Sequence, residues 1–571
     1  MIQKSFFFLH LFVSSVFSYS FAQVFPVVNY PQNYFRNPLG IPIQLAANFG
    51  ELRNNHFHMG LDIRTNQREN LPVYASAEGY ISRIKIEQYG FGRAIYITHP
   101  NGYTTLYAHL NDFYPELNNY IKKIQYQDET WEQDVFIKPN LFAVTKGQFI
   151  ANSGNTGGSA GPHLHFEIRE TYTENNLNPF LFGLPVADNI APTFSRLYLY
   201  DRRQSTYNTS PLSIPIKKVG SAYTTVSSII STSSPVISFG INAFDRSNVS
   251  FNFGLYQAEI YFDEVLQSGF QLNNFSYADT RYINALVDYK TKAKTGGWIQ
   301  HLSRLPGNQM HIFSTTASDG KITLADTEVH EVRIVLKDVP GNTTTLKFKI
   351  KLSPSAYSSP VISTPNVLLP GQPNKVTYPY AEADFSANAF YDTVYFEHTS
   401  TPAVSAAGAS SVETLHNYTV PVHDSFTVRL KARPDLPANL KSKVVMQMIS
   451  NRKKEALKGG WKGDWMEAKF RDLGSFQLII DTEAPVLQPV GWSQGSNLKG
   501  KPSITILAKD AISELSFFRA ELDGKWLMFS RKSDYFIHNF DEKTTTGPHV
   551  LKVVIADEAG NITEKSFKIF R

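Results

Sequence analysis

A mainly β chain of several domains is what the sequence predicts, and three observations carry that prediction. The first is length: 571 residues, at roughly 100–200 per domain, make about three to five domains. The second is composition. Aromatic residues reach 13%, including 41 Phe and 29 Tyr, while charged residues are only 18%, which suits several apolar β cores and excludes a largely disordered chain. The third is texture: beyond residue 188, short alternating runs are separated by Gly, Pro, Asn and Ser, the spacing of β-sandwich modules.

In chain order, the first element is a sorting signal. Met1 to Ala22 carry Lys4, an apolar Phe6–Phe17 run and Ser20-Phe21-Ala22, with small residues where a signal peptidase reads. Cleavage before Gln23 is expected. No later segment approaches the ~20 apolar residues that span a bilayer, so the expectation is an exported protein, periplasmic or at the cell surface, with no transmembrane segment after cleavage. The absence of cysteine rules out disulfides, Cys-based zinc sites, thiol nucleophiles and an acylated cysteine anchor; any metal must be held by His, Asp or Glu. The formal charge of +5 is not gathered into basic clusters, so nucleic acid is not an expected partner.

Residues 23–187 hold the chemistry. Three histidine groups occur there: His56-Phe57-His58 with Asp62, Tyr107-Ala108-His109-Leu110, and Gly161-Pro162-His163-Leu164-His165-Phe166-Glu167. As a strand, the last group places His163, His165 and Glu167 on one face and Leu164 and Phe166 on the other. An isolated His-x-His is open to two readings, a metal site or a solvated face. His58 and Asp62 are four apart, but Gly60 and the β-prone neighbours argue against a helix, so a bend must bring them together. Two His and one Asp suit zinc and leave a fourth position open, as a catalytic site requires.

In this order, His-x3-Asp, Tyr-Ala-His-Leu and Gly-Pro-His-Leu-His-Phe-Glu resemble the lysostaphin-type, or LytM-type, zinc metallopeptidases that cut peptidoglycan. Val73 to Gly79, Tyr89 to Leu110, Lys146-Gly147-Gln148, Ser153 to Ser159 and Asn178-Pro179 extend the resemblance over residues 38–183. It implies an antiparallel β-sheet peptidase domain holding one zinc ion per chain on His58, Asp62 and His165, with His163 and His109 as catalytic histidines. Glu167 is expected to orient a ligand imidazole. The implied activity is endopeptidase hydrolysis of cross-links or stem peptides, with peptidoglycan as partner. The rival is a non-catalytic envelope adaptor that uses the same fold for binding. Family members with regulatory roles typically lack ligands, and none is missing here. His56 is assigned to the groove rim, His99 to a turn, and the Gly run 154–161 to close backbone packing, since it lacks the Lys-Ser/Thr ending of a phosphate loop. Residues 111–141 form an insertion relative to the family, rich in aromatics, readable either as a lid or groove wall or as a packed surface excursion.

The remainder reads as β modules at 188–352, 353–480 and 481–571. His330–Ile350 aligns without gaps to His549–Ile569, with nine of 21 pairs identical, and each copy follows an Asp-x-x-Ala-Pro, at Asp188 and Asp481. These two copies resemble bacterial immunoglobulin-like domains. The Asp-x-x-Gly-Asn turns at Asp338 and Asp557 each offer one carboxylate, far short of the six to eight oxygens calcium takes, so they read as structural turns. The modules leave room for an envelope protein partner.

Overall fold

A computed structural model describes residues 24–26, 28–248, 251–353, 364, 366–403, 405–451 and 453–571; the expected signal segment 1–22 lies outside them. The described chain is mostly strand, and its longest helix has 13 residues. Among the described residues no helix is long and apolar enough to cross a membrane.

The first domain is built from β1 (Leu45–Ala47), β2 (Leu61–Arg64), β3 (Pro72–Tyr74), β4 (Gly79–Ile86), β5 (Arg93–Thr98), β6 (Tyr103–Ala108), β7 (Leu110–Phe113), α1 (Pro115–Gln127), β8 (Gln133–Phe136), β9 (Ala143–Val144), β10 (Phe149–Ser153), β11 (His163–Glu170) and β12 (Asn176–Leu177). The main sheet runs β1-β2-β11-β6-β5-β4-β8, and a small sheet runs β3-β10-β7. Leu164, Phe166 and Ile168 enter the core beneath the main sheet with Leu61, Ile63, Ile95 and Ile97, all fully buried. Alternation then commits the opposite parity of β11 to the other face.

The insertion is ordered as a short strand, a helix and an edge strand. Pro115 at the first turn and the apolar spacing of Leu117 and Ile121 make α1 a short amphipathic helix packed on the domain core. β8 adds to β4 at the sheet edge opposite β2 and β11. The outward side of α1 meets the last module: the Tyr126 hydroxyl donates to Asp541 Oδ2 at 2.7 Å, Lys122 Nζ lies 3.0 Å from the same oxygen and 2.6 Å from Glu542, and Tyr126 packs edge-on against Trp526.

Residues 188–352 form a five-stranded and an eight-stranded sheet over one apolar core. Phe49, Phe57 and Met59, which flank His58, belong to that core. The strand Asn274–Phe275 also pairs with β12 and so extends the first domain's sheet. Residues 366–480 form two five-stranded sheets with a two-stranded ribbon, and residues 486–570 two four-stranded sheets. The two repeated segments fold alike, as antiparallel hairpins of His330–Lys337 with Thr343–Leu352 and of Pro548–Asp557 with Ile562–Phe570.

Asp541→Ala strands the Tyr126 hydroxyl and leaves Lys122 with Glu542 alone, a loss of about 1–3 kcal/mol. Faster amide exchange in 115–127 and 535–545, with the β11 amides unchanged, is the expected outcome in a hydrogen-exchange comparison of the full chain.

Candidate metal centre and active site

Register brings the site together. β11 pairs antiparallel with β2 so that His165 stands directly opposite Asp62. His58 lies just before β2 in a tight local loop, closed by Gly50 N–H to His58 O at 2.8 Å and His58 N–H to Glu51 O at 2.9 Å. Gly60 is the bend between His58 and β2, and it lies so close to β11 that a Cβ there would sit 2.4 Å from the Phe166 carbonyl oxygen. Any side chain at 60 would push the two ligand strands apart.

Three atoms converge. His58 Nε2, Asp62 Oδ1 and His165 Nδ1 lie 2.9–3.0 Å from one another, on side chains exposed by no more than 12%. The far nitrogens fix the tautomers: His58 Nδ1 is 2.7 Å from the Asn48 carbonyl and His165 Nε2 is 2.8 Å from Glu167 Oε1. Both outer partners accept only, so each outward nitrogen carries a proton, and with a metal bound each inward nitrogen would offer its lone pair to the cluster. Two neutral imidazoles and one carboxylate aimed at a common point are compatible with zinc.

His163 and His109 flank this group. His163 Nδ1 donates to the Gly161 carbonyl at 2.8 Å and its Nε2 lies 3.3 Å from Asp62 Oδ1. His109 Nδ1 donates to the Thr156 carbonyl at 2.9 Å, and the two rings are 4.6 Å apart. His109 takes a left-handed backbone, φ 58°, unusual for a residue with a side chain and costing roughly 1–3 kcal/mol. That kink, between β6 and β7, sets its ring against those of His163 and His165. The Gly run supports the pair by close packing: a Cβ on Gly157 would lie 2.2 Å from Gly92 N. His56 is exposed and hydrogen-bonds Asn54 O, whereas His99 is buried between Glu78 O and Thr105 Oγ1.

Glu167 is completely buried behind His165. It accepts from His165 Nε2, from Arg169 Nε at 2.7 Å, and from the Tyr277 hydroxyl at 2.6 Å. Burial would raise its pKa, but Arg169, His165 and Tyr277 together pull it down to about 2. Burial likewise opposes charge on His165, and its hydrogen bonds to Asp62 and Glu167 outweigh it, lifting the imidazole to about 9; a metal ion there would take a place that a proton otherwise holds. Burial, then the neighbouring His165 and His163, drive His109 down to about 3. Arg169 and Tyr277 were not anticipated. Arg169 follows the strand parity and was within reach of that rule, but Tyr277 comes from the next module, 110 residues from Glu167, and no local pattern points to it.

The geometry is that of a two-histidine, one-aspartate group on an antiparallel sheet that could hold a metal ion. Residues 56–126 and 137–179 match peptidase family M23, and residues 366–481 match a Zu5-like domain. The chain is 34% identical over 131 residues to the DD-carboxypeptidase/endopeptidase Mpg of Neisseria meningitidis, covering 23% of this chain and 24% of the relative. It is 28% identical over 133 residues to the peptidoglycan DD-endopeptidase ShyA of Vibrio cholerae, covering 23% and 25%. It thus spans about a quarter of the length of these curated relatives. The catalytic domain of lysostaphin from Staphylococcus simulans aligns at 24% identity and TM-score 0.19, over 24% of this chain and 92% of that one.

Two outcomes are expected here. Gly60→Ala should separate β2 from β11 and abolish zinc retention on gel filtration, with urea unfolding shifted by about 1–3 kcal/mol as for an overpacked site. Tyr277→Phe should leave folding intact by circular dichroism yet weaken zinc affinity about 10–100-fold in a chelator competition, because it loosens the carboxylate that orients His165.

Proposed function

We propose that the chain is an exported zinc metallo-endopeptidase that hydrolyses peptide bonds in peptidoglycan cross-links or stem peptides. One zinc per chain is held by His58, Asp62 and His165. The observation that carries this reading is the convergence of three ligand atoms within 3.0 Å, with the outward nitrogen of each imidazole held by an acceptor. The M23 match and the names of the relatives support the substrate class, and the Met1–Ala22 pattern supports export.

When bound, zinc supplies a Lewis acid that polarises the scissile carbonyl and acidifies water. The remaining work falls to the chain. His109 and His163, their Nδ1 protons engaged by Thr156 and Gly161 carbonyls, both present an Nε2 lone pair to the groove. One lone pair takes the proton of the attacking water. The imidazolium that results faces the oxygen gaining charge and returns the proton to the leaving amine. Glu167, clamped by Arg169 and Tyr277, keeps His165 in the ligating tautomer and orientation.

The test is metal analysis together with muropeptide digestion by residues 23–571. The wild type should hold one zinc and release cleaved muropeptides. His58→Ala should lose both metal and activity, whereas His163→Ala should keep the metal and lose about 100-fold or more in turnover. A wild-type protein that binds no zinc would sink the assignment, and zinc retention with sacculus binding but no cleavage would favour the adaptor.

A further inference from the structure

The Asp-x-x-Ala-Pro and Asp-x-x-Gly-Asn signatures, separate in the sequence, meet in space. Asp188 lies in the linker that leaves the peptidase domain, Asp245 follows the strand Val236–Phe244, and Asp338 follows His330–Lys337. One carboxylate oxygen from each lies within 4.8 Å of the others. The same three positions of the repeat, Asp481, Asp510 and Asp557, form a second such group at the last module.

Two features set the first group apart from a cluster of surface acids. Asp245 is only 6% exposed and Asp338 1%, yet among the described residues none of the three forms an ion pair with Lys, Arg or His. Asp245 Oδ1 is also buried with no hydrogen-bond partner. The other two carboxylates are partly engaged: Asp188 Oδ1 accepts Ile190 N–H, and Asp338 accepts Gly341 N–H, Asn342 N–H and the Asn342 amide. Those bonds orient the carboxylates and leave lone pairs free, since each ionised carboxylate offers about four acceptor sites. Like charges packed in a poorly solvated place are unfavourable without a cation; burial and then the charges of Asp188 and Asp338 push Asp245 up to about 8. A small cavity bounded by Asn48, Asn178, Asp188, Asp245 and Tyr256 adjoins the group.

We infer that Asp188, Asp245 and Asp338 form a divalent-cation site that takes calcium and clamps the linker to the end of the first β module. All-oxygen donors select a hard cation, and oxygens within 4.8 Å of one another lie no farther apart than two calcium–oxygen bonds of about 2.4 Å can span. Three carboxylates, mono- or bidentate, supply three to six ligands, and carbonyls or water complete the shell. The consequence is positional: this linker follows β12 and the sheet that carries His165, so the ion ties the peptidase domain to the module that supplies Tyr277.

Calcium titration of the full chain in chelator-treated buffer, up to about 5 mM to cover the affinities of extracellular modules, tests this by calorimetry and by thermal melting. The wild type should bind calcium saturably and melt at a higher temperature with it. Asp245→Asn, which keeps size and removes one ligand charge, should bind one calcium fewer per chain. It should melt at or above the wild type without calcium, since the repulsion is relieved, and below it with calcium. Absence of saturable binding, or an unchanged calcium count in Asp245→Asn, would overturn the site. Zinc content and muropeptide cleavage are read separately, so neither result bears on the peptidase assignment.

Discussion

The pairing of Asp62 with His165 across β2 and β11 is the constraint on which the site depends, because a strand register admits no partial slip. A shift of one residue would send Leu164 and Phe166 to the groove and His163, His165 and Glu167 into the core. The completely buried Leu164, Phe166 and Ile168 therefore hold the ligand face in place as firmly as any hydrogen bond in it. The core also tolerates nothing at position 60 except glycine, since β2 can reach β11 only if no Cβ intervenes.

Behind that pairing lies a chain of contacts that runs out of the peptidase domain. His165 leans on Glu167, Glu167 on Arg169 and Tyr277, and Tyr277 belongs to a module whose core includes Phe57 and Met59 on either side of His58. Phe57 N–H donates to Thr280 Oγ1 at 2.7 Å, and Asn48, whose carbonyl accepts from His58 Nδ1, exchanges two 3.0 Å bonds with Gly254. His58 and His165 are thus oriented partly from residues beyond 188. A peptidase domain cut at that point would lose the groups that aim its lone pairs.

Much of this was legible in the sequence, and the boundary of legibility has a physical reason. Strand parity placed His163, His165 and Glu167 together because a period of two is a local property. Gly60 argued against a helix between His58 and Asp62, and the structure has a bend there. What stayed hidden depends on pairing between distant segments. Tyr277 is one aromatic among many until Asn274–Phe275 adds to β12 and delivers it to Glu167. The aspartates of the repeat were visible as turn residues, but a turn shows one carboxylate at a time, and only the packed module shows three. The aromatic insertion after His109 suggested a neighbour of the groove by sequence proximity, whereas β8 carries it to the opposite edge of the sheet.

That placement changes how the β modules are to be understood. The last module touches α1 through Asp541 and Glu542, with Arg519 reaching Glu129 at 2.6 Å, while the first module touches the ligand histidines from the other side. The peptidase sheet is held at both ends of its strand order, by residues that precede and follow a third module. Hinge-like freedom between domains requires small polar interfaces. Here one of the two interfaces is a shared apolar core and an extended sheet. The His58, Asp62 and His165 cluster consequently belongs to a framework rather than to a tethered domain, since the modules that contact it and α1 are part of the same packed structure.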